Sequence, residues 1–182
     1  MTGDLTINST GSKIIYIQDT RNEKNRFTVV LTCFADGSKF PFIIIFKEKH
    51  WPKTTPPQPL GIQVWFQDNG WMDEINMKKY SRYWLSKNLD NSSKMLIYDS
   101  FSAHITPDIK ASFKNNNTDL VVIPGGLTSI CQPLDVSINK PFKNNLRRQW
   151  HNWMANGGDG ITKDGNLKRA SLRSACQWVL NT

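Results

Sequence analysis

Little in this chain assigns a compartment or a cofactor outright. Three cysteines, Cys33, Cys131 and Cys176, are spread over 182 residues. They are too few and too scattered for a disulfide framework or a zinc motif, which suits a reducing compartment. No run approaches the ~18 to 20 consecutive apolar residues of a membrane-spanning helix, and the polar start Met1-Thr2-Gly3-Asp4-Leu5 does not read as a signal peptide. The expectation is a chain without membrane contact. Internal repeats and low-complexity stretches are also absent. Acids are scarce near the C-terminus: residues 136–182 hold eight Lys or Arg against two Asp or Glu, whereas residues 1–135 hold fifteen against thirteen. The net charge of +8 is therefore concentrated in the tail. Such a tail suits a polyanionic partner, because each phosphate neutralised releases counterions; a solvated helix face is the plainer reading.

What the chain does have is core material. Hydrophobic residues make up 38%, with seven Trp and nine Phe, enough for one domain with a sizeable interior. The β-branched and aromatic run Phe27 to Phe34, the Asp36-Gly37 turn and the run Phe40 to Phe46 predict a hairpin, apolar nearly throughout and so covered on both faces. A short strand is expected at Ile14 to Ile17, followed by an exposed loop, and another at Ile62 to Phe66. Four prolines between Lys49 and Pro59 predict a loop. A first helix opens at Trp71-Met72-Asp73-Glu74 and ends near Leu89, with Met77, Tyr80, Trp84 and Leu85 on one apolar stripe. A second runs from about Thr106 to Asn116, with Pro107 in its first turn. The last long helix covers about Leu134 to Met154, bent at Pro141, with a buried stripe of Ile138, Phe142, Leu146, Trp150 and Trp153. One more helix fits between Leu167 and Leu180.

Two carboxylates organise the rest. Lys94-Met95-Leu96-Ile97-Tyr98 reads as a buried strand that ends in Asp99. The C-terminal ends of strands in open α/β sheets gather ligands, although an Asp there can equally order a turn or cap the next helix. With thirty-five residues between them, Asp135 stands in the first turn of a helix, after the breaker Pro124-Gly125-Gly126 that ends a strand at Leu120 to Ile123.

The phrases RFTVVLTCFADGSKFPFIIIFK, MLIYDSFSAH and TDLVVIPGGLTSICQPLDVSINKPFK resemble the pogo and Tigger lineage of DDE transposases over roughly Gly11 to Met154. The resemblance implies a ribonuclease H-like α/β fold, a mixed sheet flanked by helices. It also implies Asp99 and Asp135 as the second and third catalytic and metal-holding acids, two Mg²⁺ or Mn²⁺ ions, DNA as substrate and partner, and a nuclear setting. In this lineage the first acid lies in an Asp-Glu-Thr phrase about twenty residues before the Gly-x-Lys that corresponds to Gly11-Ser12-Lys13. No such phrase occurs here, so the first acid and its central strand are expected to be missing and the chain to be inactive alone. Asp19 and Asp4 are the available substitutes, each more simply a turn or terminal residue.

On this reading residues 1–155 form a partial catalytic domain and 156–182 a basic tail. Lys140, Lys143, Arg147 and Arg148 point toward DNA. The other function class is a non-catalytic module for DNA binding or protein interaction. Loss of a central strand between Phe27 and Met95 predicts marginal stability or self-association unless Ile14 to Ile17 fills the gap. His104 could orient an acid, or pack; Gly125 and Gly126 could admit a DNA backbone, or simply form a turn. Cys131 reads as a small buried hydrophobe, and Gln132 as a residue that could contact a ligand.

Overall fold

A computed structural model describes residues 26–53, 55–87, 92–101, 105–163, 165 and 168–182. The expected strand at 14–17, Asp4, Asp19, His104 and the outer ends of the first and last helices lie outside these residues.

Strands β1 (Phe27–Val30), β2 (Phe42–Phe46) and β3 (Ile62–Phe66) form one mixed sheet in the order β1-β2-β3, with β1 antiparallel and β3 parallel to β2. The hairpin turn falls where Asp36-Gly37 predicts it. Gly37 takes φ +84°, a region open to glycine, and the Ser38 N–H donates to the Asp36 carboxylate at 2.8 Å. These bonds from Ser38 hold the Asp36 carboxyl below its ordinary range. The first run is shorter as a strand than expected. Regular pairing stops at Val30, and a single bridge joins Cys33 to Lys39.

β2 is covered on both faces, as its unbroken apolar run requires. Ile43 and Ile45 pack with Trp65, Met77, Tyr80, Trp84, Ile109 and Phe113, whereas Ile44 and Phe46 pack with Leu172, Ala175, Cys176 and Val179. Alternation along one strand thus feeds two cores. Each fully buried Ile or Phe contributes about 1.5 to 3 kcal/mol by leaving water.

The first core holds α1 (Glu74–Lys87) and α2 (Pro107–Lys114). Asp73 starts α1 by accepting the Asn76 N–H at 2.8 Å. Lys78 of α1 reaches Glu74 and Asp108, tying the two helices at their exposed edge. Tyr80 is buried with its hydroxyl 2.9 Å from that of Thr32, and burial pushes its pKa up to about 12, the Thr32 contact opposing the shift.

Strands β4 (Lys94–Tyr98) and β5 (Thr118–Val122) form a separate parallel pair, in register Met95↔Asp119 and Ile97↔Val121. The single sheet expected is therefore two small sheets among the described residues. β4 also corrects the expectation of a buried strand. Leu96 and Leu120 pack on the first core, but Met95 is 63% exposed, Ile97 44% and Val121 41%. One face of the pair carries apolar side chains in solvent.

The long C-terminal helix is split. After α3 (Thr128–Cys131), a π turn runs over Leu134–Ile138 and regular α4 begins at Asn139, ending at Ala155. The π turn runs straight into α4, and Pro141 has no N–H to give the Ser137 carbonyl while its ring crowds that group, so the irregular turn falls in the residues directly ahead of the proline. The predicted stripe is only half-buried: Phe142 and Leu146 pack on the second core and Trp153 meets Trp178 at 5.7 Å, while Trp150 is exposed. α5 (Leu172–Leu180), capped by the Ser171 hydroxyl, packs on the same core. No helix of the described residues is long and apolar enough to cross a membrane.

Candidate catalytic and nucleic-acid-binding site

The ladder between β4 and β5 continues one bond past its strands, from the Ile123 N–H to the Tyr98 carbonyl at 2.8 Å. This holds the end of β4 rigidly where Asp99 emerges. Asp99 is half-buried and accepts the Phe101 N–H at 3.2 Å. It orders its own turn; the position before α2 belongs to Thr106, whose side chain makes no capping bond. The turn-ordering role therefore coexists with any role at the strand end.

The Pro124-Gly125-Gly126 breaker turns back against this end. A Cβ at Gly125 would lie 3.5 Å from the Ser100 hydroxyl, Gly126 takes φ +84°, and the Leu127 N–H returns to the Pro124 carbonyl. A tight turn explains both glycines. From here α3 delivers Gln132, and a cavity of about 800 Å³ is lined by Asp99, Gln132, Pro133 and Leu134. The Gln132 Oε1 is buried without a hydrogen-bond partner among the described residues. A buried acceptor left unpaired costs stability, so its place on the cavity that Asp99 also lines calls for an explanation. Cys131, expected to be buried, is exposed instead, on the outer side of the short helix.

Asp135 follows Leu134 directly but stands in solvent, outside the cavity lining. Its carboxylate accepts the Asn139 side-chain amide, one helical turn on. Asp99 and the Gln132–Leu134 stretch are thus brought onto one cavity, with Asp135 exposed just beyond it. Among the described residues no three His, Cys, Asp or Glu side chains gather as a metal-binding group.

Beyond the π turn, Lys140, Lys143, Arg147 and Arg148 are all exposed. Lys140, Lys143 and Arg147 share one face by their spacing of three and four, and Arg148 lies about 100° round the helix. Arg147 touches only Asn144, at 3.3 Å, among the bonds described for it. Cationic side chains with no acidic partner among the described residues suit a polyanion.

Arg26, Trp71 and Phe101, to which the sequence gives no site role, line a second, open cavity of about 690 Å³ with Thr106, and Trp71 lies ahead of α1 rather than opening it. Arg26 lies 4.7 Å over the Trp71 ring, and Trp71 and Phe101 are 48% and 42% exposed. The available signal was an aromatic next to Asn69-Gly70, outside any apolar period.

Residues 24–182 match the family described as DDE superfamily endonuclease. Pogo transposable element with KRAB domain from Mus musculus is 34% identical over 179 residues, 97% of this chain and 29% of that protein. The Homo sapiens protein of the same name is 33% identical over the same shares. Pogo transposable element with ZNF domain from Homo sapiens is 29% identical over 124 residues, 67% of this chain and 9% of that protein. The chain belongs to the DDE superfamily endonuclease family and is transposase-derived, of pogo type. It spans less than a third of the length of the curated relatives it matches. No solved structure matches it.

Proposed function

We propose that this chain is the DNA-processing core of a pogo-type transposase, of ribonuclease H-like architecture, that it binds DNA in the nucleus, and that by itself it does not cleave. The observation that carries the reading is the convergence of the Asp99 strand end and the Gln132 loop on one cavity, with the exposed cations of α4 immediately downstream.

Lys140, Lys143, Arg147 and Arg148 would hold the phosphate backbone, which fixes a duplex in position without reading its bases. DDE endonucleases use divalent metal ions. The donors present are of the right kind: Asp99 and Asp135 are hard carboxylates and the Gln132 Oε1 is a buried, unpaired carbonyl. Mg²⁺ characteristically takes one or two protein carboxylates and fills its other positions with water and substrate phosphate. Asp99 and Asp135 would hold the ion, and Gln132 would orient a ligand beside it. A bound Mg²⁺ or Mn²⁺ supplies Lewis-acid polarisation of the scissile phosphodiester and a more acidic attacking water. The β4–β5 ladder keeps the Asp99 carboxylate at a fixed strand end, and Pro133 and Leu134 line the neighbouring cavity wall. What argues against cleavage by this chain alone is the exposed position of Asp135, bonded to Asn139, together with the lack of a third acid near it among the described residues.

The test is Mn²⁺-dependent nicking of supercoiled DNA by the purified chain, with Asp99→Ala and Asp135→Ala variants and a DNA-binding titration run in parallel. Salt-sensitive binding without nicking is the expected result. Nicking that both substitutions abolish would show a working site and overturn the claim of inactivity. Absence of binding at low salt would sink the reading as a whole. A purely interaction-based role is favoured by one feature, the exposed apolar face of Met95, Ile97 and Val121.

A further inference from the structure

Trp71 is the most exposed tryptophan of the chain, yet the turn that carries it is firmly held. The Gln67 Oε1 accepts the N–H groups of Asn69 and Trp71 at 2.6 and 3.2 Å, the Arg26 Nε donates to the Asn69 carbonyl at 3.4 Å, and the Thr28 hydroxyl donates to the Gly70 carbonyl at 2.8 Å. The Arg26 guanidinium, 4.7 Å over the ring, steadies one face of the indole as well. A large aromatic kept in contact with water on a fixed turn has already lost the freedom that a partner would otherwise have to remove on binding. Trp71 shares the open cavity of about 690 Å³ with Phe101, and that cavity adjoins the strand end: Met72 lines both it and the cavity on which Asp99 stands. The Phe101 N–H is itself bonded to the Asp99 carboxylate, and two residues of chain span at most about 7 Å.

Charge narrows what the cavity can take. Its lining sets Arg26 against Asp73 and Glu74. Asp73 accepts the Asn76 N–H, Glu74 pairs with Lys78 at 3.0 Å, and Arg26 is already stacked on Trp71. A phosphate entering here would meet two carboxylates, and a cationic side chain would meet the guanidinium. A flat, uncharged group with a polar edge meets neither objection. We propose that Trp71 and Phe101 form a stacking site for one unpaired nucleobase of the DNA, held beside the Asp99 strand end. The assignment rests on the DNA-binding reading above and adds to it: the cations of α4 take backbone phosphates, and the aromatic cavity takes a base that has left the helical stack. Stacking needs no particular sequence, since every base has a π face. A base still paired inside a duplex cannot offer that face. The site therefore distinguishes opened DNA from closed DNA, and a base held there fixes its strand relative to Asp99.

Anisotropy titrations of the full 182-residue chain with two DNAs test this: a fully paired duplex, and the same duplex with a single bulged 2-aminopurine, whose fluorescence falls when the base stacks. The wild type should bind the bulged DNA roughly 5- to 100-fold more tightly than the paired one and quench the probe. Trp71→Ala should erase both the preference and the quenching, with affinity for the paired duplex unchanged, which also reports that the variant is folded. Trp71→Phe, which keeps a ring, should retain most of the preference, and Phe101→Leu should reduce it. A preference untouched by Trp71→Ala overturns the proposal, as does a loss that falls equally on both DNAs. Paired-duplex binding without any preference in the wild type refutes the stacking site alone, whereas no binding to either DNA refutes the DNA-binding reading with it. An arginine-rich peptide bound in a Trp71-dependent manner, with no preference for the bulged DNA, would assign the cavity to a protein partner and is equally fatal.

Discussion

Asp99 and Gln132, thirty-three positions apart in sequence, line one cavity, the first half-buried and the second with a buried carbonyl oxygen that finds no partner among the described residues. An unpaired acceptor is a stability cost that a ligand can relieve. Gln132→Met, which keeps volume and removes the acceptor, should leave the unliganded chain as stable or stabilise it by up to about 1 kcal/mol. The same change should shrink the rise in melting temperature produced by Mn²⁺, and Asp99→Asn should abolish that rise. Thermal melts with and without Mn²⁺ decide it; a strongly destabilised Gln132→Met would show that the amide has a structural partner.

The second prediction concerns alkaline stability. Tyr80 has its folded pKa raised to about 12 from an ordinary 10.0 by burial. The neutral phenol is favoured in the native state, so its contribution is complete below about pH 10 and is lost as pH climbs toward 12. At ~1.4 kcal/mol per pH unit the loss reaches roughly 2 to 3 kcal/mol. Tyr80→Phe should flatten this part of the profile, at the expense of about 1 kcal/mol at neutral pH from the Thr32 contact. Denaturant melts at pH 8, 10 and 11.5 measure both; an equal alkaline loss in Tyr80→Phe would assign it to another group.

For α4 the expected signature is a salt slope. Replacing Lys140, Lys143, Arg147 and Arg148 together with Gln should reduce the dependence of log affinity on log salt by about 3 to 4 and weaken all DNA sequences alike. Lys49→Gln and Lys53→Gln, in the proline-rich loop, serve as controls for charge removal elsewhere on the surface and should change it little. A slope unchanged in the quadruple variant would move the DNA-binding surface away from α4.

Gly70 gives a purely structural prediction. It is buried with φ +69°, its carbonyl accepts the Thr28 hydroxyl at 2.8 Å, and an added Cβ would meet the Lys47 backbone nitrogen at 3.1 Å and the Arg26 carbonyl at 3.2 Å. Backbone atoms cannot rotate aside. Gly70→Ala should cost about 1 to 3 kcal/mol, seen calorimetrically as a fall in Tm of roughly 2 to 10 °C for a chain of this size. An unchanged Tm would show that the turn relaxes freely.

Periodicity made the β1–β2 hairpin, β3 and the α1 stripe legible, because Ile43 to Phe46 and Met77, Tyr80 and Trp84 each answer to one local repeat. The apolar run at β4 was misread as buried for a physical reason. Burial depends on what covers a face, and Met95 and Ile97 have the composition of a core strand without a layer over them. The π turn was less legible: Pro141 marks a disturbance in the turn ahead of it, but not the form that disturbance takes. Asp99 and Asp135 were visible as residues; that only Asp99 fronts the cavity depends on a turn geometry that spacing does not encode.

The π turn at Leu134–Ile138 also bears on how the gene can change. One codon lost there would let the turn tighten to α geometry and swing Asp135 by about 100° relative to the cationic face of α4. In-frame insertions and deletions should therefore accumulate in the proline-rich loop at 47–61, where the backbone runs over the surface, and be rejected between Gln132 and Asn139.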